Sequence, residues 1–179
     1  MKKVGNKVFI ITGEQGAGKT TCLVEVIGIL KKKGIGVRGF FARGYWSDGL
    51  RSGFDLVNVK TNEKHILCRN YFDEGDQKFG RFYFKPSTIK TGNTILNPSN
   101  KSTDELMVID EIGLFEIQGK LWSDSFSRLL KDQSAPILIT VRTNLVEPVI
   151  AHFKLSNTYL FKCTESPIKI AESLSDMLI

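Results

Sequence analysis

The sequence predicts an α/β fold in which a mostly parallel sheet is covered by helices on both faces. Short apolar runs begin at residues 8, 106 and 136, and such runs are typical of parallel strands that are buried on both sides. Segments with helical periodicity follow these runs along the chain. A chain that alternates strands with helices in this way favours a parallel sheet.

The first unit is predicted as a strand, a glycine loop and a helix. Residues 8–12 (VFIIT) form a β-branched apolar run that ends at Gly13, as expected for a buried strand. Over residues 19–33 the apolar positions recur with helical spacing, and three lysines precede Gly34. Cations suit the end of a helix and glycine stops it, so the helix is expected to end there.

The central part is predicted as a small antiparallel insert over approximately residues 44–85. Residues 36–41 indicate the strand before it. Residues 54–59 alternate apolar and polar positions as a half-exposed strand does, and 65–68 is expected to be its hairpin partner. A helix is predicted over 87–96.

The rest of the chain returns to alternation. Strands are predicted over 106–109, 136–141 and 159–161, and helices over 121–130, 146–153 and 167–178. The 179 residues are 41% hydrophobic and 25% charged, near the averages of globular proteins. Since no internal repeat or linker interrupts the pattern, residues 1–179 are predicted to form a single domain.

Charge and cysteine content narrow the class of protein. The 25 basic and 19 acidic residues give a net charge of +6, which favours anionic partners and equally suits a small soluble domain. Cys22, Cys68 and Cys163 have no zinc-site spacing with the two histidines, and indicate thiols in a reducing compartment. The apolar run at 8–11 is too short for a signal peptide or membrane span, so a cytoplasmic protein without a membrane partner is expected.

Residues 13–20 match the phosphate-binding pattern G-x-x-x-x-G-K-[ST] between the first strand and helix. The glycines allow unusual backbone angles, so that successive N–H groups turn toward a β-phosphate. Lys19 is expected to reach the β- and γ-phosphates, and Thr20 to place its hydroxyl on Mg²⁺. Thr21 is an additional candidate. The predicted nucleotide-binding residues are therefore Gly13, Glu14, Gln15, Gly16, Ala17, Gly18, Lys19, Thr20 and Thr21.

Two carboxylates follow the apolar strand at 106–109. Open α/β sheets bind ligands at the carboxyl ends of their strands, so Asp110 is expected to hold Mg²⁺ there with Thr20. Glu111 is placed to orient or deprotonate an attacking water, which favours hydrolysis over phosphate transfer. Glu116 is predicted to be either a second acidic group near the metal or a carboxylate at a helix N-terminus.

These motifs resemble a known family. Residues 13–21, the V-I-D-E-I-G sequence at 108–113, and Glu116 are similar to the small P-loop nucleoside-triphosphatases first described from thermophiles. The segments G-F at 39–40 and R-S-G-F-D at 51–55 resemble further motifs of that family, so the resemblance covers nearly the whole chain. It implies a RecA-like P-loop NTPase fold and hydrolysis of NTPs, ATP and GTP among them, to NDP and phosphate with Mg²⁺.

The sequence also departs from that family's pattern. The segment F-A-R-G-Y-W at 41–46 stands where the family carries an acidic stretch, and Leu114-Phe115 replaces a basic residue and a methionine. The four residues expected to carry the chemistry, Lys19, Thr20, Asp110 and Glu111, match the pattern.

Arginines outside the glycine loop are candidates for stabilising charge on the transferred phosphoryl group. Arg142 is the first candidate, because it follows a buried strand and should lie at the same sheet edge as the phosphates. Arg38 and Arg51 are weaker ones. The aromatic residues around them are predicted either to stack a nucleobase or single-stranded nucleic acid, or to pack in the core. They are Phe40, Phe41, Tyr45 and Trp46.

These residues are compatible with three functions. The leading hypothesis is a Mg²⁺-dependent NTP phosphohydrolase with Lys19, Glu111 and Arg142 as catalytic residues. A nucleoside or small-metabolite kinase would use residues 47–85 as an acceptor pocket. A nucleic-acid-associated ATPase would need a partner for turnover, and a nucleic-acid partner is not favoured by sequence. No residue pattern specifies the oligomeric state or the preferred base.

Overall fold

The computed structural model describes residues 6–97, 105–133 and 135–178. Within these ranges the strands are β1 Val8–Gly13, β2 Val37–Ser47, β3 Leu50–Asn58, β4 Lys64–Arg69, β5 Gln77–Phe79, β6 Phe82–Phe84, β7 Leu106–Ile109, β8 Ile137–Arg142 and β9 Thr158–Lys162. The helices are α1 Lys19–Lys32, α2 Pro86–Ile95, α3 Leu114–Ile117, α4 Ser123–Asp132, α5 Val146–Phe153 and α6 Pro167–Leu178.

The described strands form one sheet in the order β5-β6-β4-β3-β2-β7-β8-β1-β9. The half from β2 to β9 is parallel, as predicted. Because β8 lies between β1 and β7, the carboxyl ends of these three strands meet at one edge of the sheet. The register places Gly13 beside Arg142 and Ile109 beside Ile139. The sequence motifs at the ends of β1 and β7 are therefore separated by a single strand.

Each face of the parallel half is buried under helices. Val8 and Ile10 of β1 face one layer while Phe9 and Ile11 face the other, and all four are at most 1% exposed. The first layer contains α4 and α5, and the second contains α1 and α6. Burial of each such side chain stabilises the fold by roughly 1.5–3 kcal/mol. The continuous apolar runs of these strands follow from this burial on both faces.

The predicted antiparallel insert is an extension of the same sheet. β2 pairs with β7 in parallel over 37–40 and with β3 in antiparallel over 40–47. The prediction that β2 ends at residue 41 was wrong, because beyond that point only one face of the strand is covered and the apolar run gives way to alternation. β3, β4, β6 and β5 continue the antiparallel half.

Gly39 allows β2 to approach β7 closely. Its φ angle is 114°, and a Cβ atom there would lie 2.0 Å from the carbonyl oxygen of Val108. Only glycine fits this position without moving one of the two strands. The close approach brings the backbone of β2 next to the end of β7.

The remaining predicted elements agree with the structure except around 114–132. The helix predicted over 121–130 is α4, Ser123–Asp132. The short helix α3, which was not predicted, precedes it, and residues with positive φ at Gly119 and Leu121 lie between the two. In the part of the chain that the structure describes, no helix combines the length and the apolarity needed to span a membrane.

Candidate active site

The phosphate-binding motif forms a loop between β1 and α1. Gly16 and Gly18 have φ angles of 76° and 90°, as expected for glycines that turn the backbone. The Ala17 N–H donates to the Glu14 carbonyl at 3.1 Å. Lys19 is buried, and its Nζ donates to the carbonyl oxygens of Gly13 at 3.1 Å and Glu14 at 2.9 Å. The ammonium group is thus held against the inside of the loop.

Gly13 has a different role from the one predicted. Its φ angle is not positive, but a Cβ atom there would lie 2.4 Å from Sγ of Cys163. The Cys163 N–H donates to the Thr12 carbonyl at 2.8 Å, and its thiol donates to the Ala17 carbonyl at 3.5 Å. Sequence reasoning missed Cys163 as a neighbour of the loop, although it directly follows a strand that ends at the same sheet edge.

Asp110 lies at the end of β7, is 4% exposed, and is surrounded by hydrogen-bond donors. Its Oδ2 accepts from the Thr20 hydroxyl at 2.8 Å and from the Ala42 N–H at 3.0 Å, and its Oδ1 accepts from the Thr140 hydroxyl at 2.5 Å. Burial raises the pKa of Asp110, whereas these donors and the nearby Lys19 charge lower it. The contacts therefore offset part of the burial and favour the carboxylate.

The pair of Thr20 and Asp110 fits Mg²⁺. Both offer the oxygen atoms that Mg²⁺ prefers, and both lie beside the lysine of the loop. Among the described residues no group of three or more Asp, Glu, His or Cys side chains is arranged as a metal site. In phosphate-transfer proteins Mg²⁺ is usually held by one or two protein ligands together with substrate phosphates and water.

Glu111 and Arg142 form an ion pair at the mouth of the site. Oε1 of Glu111 lies 3.3 Å from Nε of Arg142, and Arg142 Nη1 donates to Oε1 of Gln15 at 3.3 Å. The two paired side chains are 35% and 40% exposed, and the peptide bond between Asp110 and Glu111 is cis. Burial raises the pKa of Glu111, and the Arg142 charge opposes this effect. A carboxylate in this position is open to water.

Glu116 caps the short helix α3. It is 3% exposed, and its Oε2 accepts a hydrogen bond from the Gly113 N–H at 2.8 Å. Burial raises the pKa of Glu116 to about 8, with a smaller contribution from the charge of Glu111. Of the two alternatives for this residue, the structure supports the helix N-terminal carboxylate.

The structure brings five of the predicted site residues to one place. They are Lys19, Thr20, Asp110, Glu111 and Arg142. Thr21 is exposed in the first turn of α1, so it does not pack into the core. The weaker arginine candidates lie elsewhere. Arg38 is buried near Glu105, with 3.9 Å between Nε and Oε2, and Arg51 stacks on Trp46.

Two contacts of Asp110 were missed from sequence. Thr140 was predicted only as part of a buried strand, although a hydroxyl in the otherwise apolar run 137–141 was a usable signal for a buried polar contact. Ala42 contributes its backbone N–H, which no side-chain pattern reveals.

The loop between β1 and α1, with the carboxylates two strands away at the same edge, defines a RecA-like P-loop NTPase fold. The family model described as NTPase matches residues 8–168. The chain therefore belongs to this NTPase family.

Individual relatives agree with this assignment. The nucleoside-triphosphatase THEP1 of Caldivirga maquilingensis is 34% identical over 82% of this chain and 81% of that protein. The protein of the same name from Methanocaldococcus jannaschii is 31% identical over 77% of this chain and 79% of that protein. The solution structure of a human cancer-related nucleoside triphosphatase superposes with a TM-score of 0.72, 23% identity and 97% coverage of both chains. The crystal structure of THEP1 from Aquifex aeolicus superposes with a TM-score of 0.71 and 23% identity, and the match covers 96% of this chain and 98% of that chain.

Proposed function

We propose that this protein hydrolyses nucleoside triphosphates, including ATP and GTP, to the diphosphate and phosphate with Mg²⁺. The observation that carries the proposal is the contact between Thr20 of the loop and Asp110, with the water-accessible Glu111 beside it. The names of the relatives, nucleoside-triphosphatases, support the same reaction.

The loop from Gly13 to Thr21 binds the phosphates. Its backbone N–H groups and the N-terminus of α1 present partial positive charge to an anion. Lys19 exchanges its two carbonyl partners for the β- and γ-phosphate oxygens, which are stronger acceptors because they are charged. The side chains of Glu14, Gln15 and Ala17 are exposed, so the inner surface of the loop is left to the backbone.

Thr20 and Asp110 hold Mg²⁺, which neutralises negative charge on the phosphates when it is bound. Thr140 and Ala42 act on this site through Asp110, because their donors fix the orientation of its carboxylate. They are therefore positioning groups, which act through Asp110.

Glu111 serves as general base toward the attacking water. The Arg142 charge favours the ionised form of Glu111, since it lowers the pKa that burial raises. When the triphosphate binds, Arg142 also lies close enough to the loop, through Gln15, to stabilise charge that develops on the γ-phosphoryl oxygens.

The cytoplasm is the proposed location. Cys22, Cys68 and Cys163 are all free thiols, which supports a reducing compartment.

The test is phosphate release from each common NTP with Mg²⁺, together with direct measurement of NTP binding. Lys19→Ala should weaken binding and abolish release. Glu111→Gln should retain binding and lower the rate by roughly 100- to 10,000-fold, as expected for loss of a general base. Lys169→Ala and Glu172→Gln make the same changes at exposed positions of α6 and should behave as the wild type.

Two results would contradict the proposal. One is a native protein that binds NTP and releases no phosphate above background. The other is an unchanged rate in Glu111→Gln, which would remove the general base while leaving the phosphate-binding role of the loop intact.

A further inference from the structure

One row of side chains crosses the antiparallel half of the sheet. Tyr45 pairs with Gly53, Gly53 with Arg69, Arg69 with Tyr83, and Tyr83 with Lys78. Residues that are directly paired on neighbouring strands project to the same face of a sheet. The row therefore places two tyrosines, Lys78 and the buried Arg69 on a single face, which we call the tyrosine face.

The tyrosine face is open, while the opposite face is covered. Phe54, Cys68 and Phe84 point to the opposite face and join the core layer into which α2 packs. On the tyrosine face, Tyr45 is 40% exposed and Phe72, which packs edge-on against Tyr83, is 61% exposed. Aromatic side chains exposed together in this way are typical of a binding surface.

The ring of Tyr45 stacks on the side chain of Arg69, which holds it in place. The guanidinium carbon of Arg69 lies 4.0 Å from its centroid. Gly53 lies between the two strands, where a Cβ atom would lie 2.1 Å from the Cys68 carbonyl oxygen and 3.1 Å from Cδ of Arg69. Arg69 is itself fixed by a bond to Oδ1 of Asp55 at 2.7 Å and by the carbonyl of Cys68 at 2.8 Å. The ring thus loses little conformational freedom when a flat ligand stacks on it.

A second aromatic position lies three strands away. Tyr83 contacts Phe72 with 5.7 Å between ring centroids, and Nζ of Lys78 lies 5.6 Å from the Tyr83 ring. With neighbouring strands about 4.8 Å apart, Tyr45 and Tyr83 are separated by about 14 Å. This distance spans more than one flat ring, so an extended ligand with several bases is favoured over a single nucleobase.

The charges around the row favour an anionic ligand. Asp55 is paired with Arg69, and Asp73 and Asp76 are paired with Lys85. Lys78 is in no ion pair with a described residue. The same holds for Arg43, which lies two positions before Tyr45 on the same face.

We propose that the tyrosine face binds single-stranded nucleic acid. Bases stack on Tyr45 and on the pair of Tyr83 and Phe72, and phosphates lie against Arg43 and Lys78. Aromatic rings on an open sheet are a known way to stack two or three unpaired bases, and stacking tolerates any base sequence. Duplexes are disfavoured, because their bases are already stacked inside the helix.

The tyrosine face is continuous with the candidate active site. β2 supplies the Ala42 N–H to Asp110 and then runs on through Arg43 to Tyr45. A strand of nucleic acid bound to the row lies beside the edge where NTP binds, and does not occupy the glycine loop.

The test is fluorescence anisotropy with labelled oligothymidine, oligouridine and a blunt DNA duplex, at low and high salt. The single strands should bind and the duplex should bind less tightly. Tyr45→Leu should weaken binding of single strands by about ten-fold through loss of stacking, whereas Tyr45→Phe should bind as the wild type. Lys78→Glu should weaken binding and lower the salt dependence, by roughly 0.7 in the log-log slope for a lost phosphate contact.

Matched controls distinguish binding at the tyrosine face from nonspecific electrostatic attraction of the oligonucleotide to the protein. Lys90→Glu makes the same charge change as Lys78→Glu on α2, at the opposite face, and should have a smaller effect. Phosphate release at the wild-type rate shows that each variant is folded. Lys78 lies on the edge strand β5, so its variant tests the surface independently of the contact between Tyr45 and Arg69.

Three outcomes would overturn the proposal. They are no binding of single strands at low salt, equal losses in Lys78→Glu and Lys90→Glu, and displacement of the oligonucleotide by ADP with Mg²⁺. The last result would place the oligonucleotide in the glycine loop.

Discussion

Thr140 donates a hydrogen bond to Oδ1 of Asp110 at 2.5 Å, which joins the ends of β8 and β7. Thr140 is 0% exposed and Asp110 is 4% exposed, so water cannot replace this donor. A carboxylate buried to this extent depends on its hydrogen-bond donors to stay ionised. The proposed binding of Mg²⁺ by Asp110 therefore depends on the hydrogen bond from Thr140.

Thr140→Val should weaken Mg²⁺ binding. Valine has nearly the same shape but no hydroxyl, so the pKa of Asp110 rises and its carboxylate loses a fixed orientation. The Mg²⁺ concentration for half-maximal phosphate release should increase by about ten-fold. Loss of a residue that hydrogen-bonds to a metal ligand typically lowers metal affinity to this extent. Thr140→Ser keeps the hydroxyl and should stay close to the wild type. Equal Mg²⁺ dependence in both variants would contradict this role.

Arg142→Gln should shift the pH profile of hydrolysis. The guanidinium lowers the pKa of Glu111, so its removal raises that pKa. A general base works when ionised, and the rise of kcat/KM with pH should therefore move to higher pH. Arg142→Lys retains the charge and should shift less. A profile that stays in place while the rate falls would show that Arg142 acts on the phosphate alone.

Glu116→Gln should remove a pH-dependent loss of stability. The ordinary pKa of a glutamate is 4.5, and burial raises that of Glu116 to about 8. Between these values the folded protein holds a proton that the unfolded chain has released, so the free energy of unfolding falls as pH rises. Glutamine cannot ionise and still offers an oxygen to the Gly113 N–H.

Urea unfolding near pH 5 and near pH 9 measures this effect. The two proteins should have similar stability at the lower pH, and the variant should be more stable at the higher pH by on the order of a few kcal/mol. Glu172→Gln, at an exposed position of α6, should follow the wild type at both values. If the free energy of unfolding changed by the same amount between the two pH values in Glu116→Gln and in the wild type, the assignment of a buried, protonated carboxyl group to Glu116 would be refuted.

Gly13→Ala should disrupt the phosphate-binding loop, since the new Cβ would lie 2.4 Å from Sγ of Cys163. Nucleotide affinity and Tm should both decrease. Adding Cys163→Ala removes the sulfur and should restore part of each. Gly28→Ala in α1 meets no atom within 4 Å and should instead stabilise the helix by about 0.5–1 kcal/mol. Loss of affinity that Cys163→Ala does not relieve would mean that Cys163 is not the obstacle.

The sequence alone determined the elements that local patterns specify. The run 8–12, the glycine loop and the helix after it were predicted in the right places, as were the strand at 106–109 and the helices at 146–153 and 167–178. In these segments the local signals agree, because buried parallel strands need continuous apolar runs and helices need their own periodicity. The meeting of Lys19, Thr20 and Asp110 at one edge also followed, since the carboxyl ends of parallel strands share an edge.

Only the tertiary structure decided which groups surround those residues. The Ala42 N–H reaches Asp110 because Gly39 lets β2 approach β7, and Cys163 reaches the loop because β9 pairs with β1. The row from Tyr45 to Lys78 depends on the register of five strands. Pairing partners, backbone donors and side-chain clashes join residues far apart in the chain, and local periodicity carries no information about them.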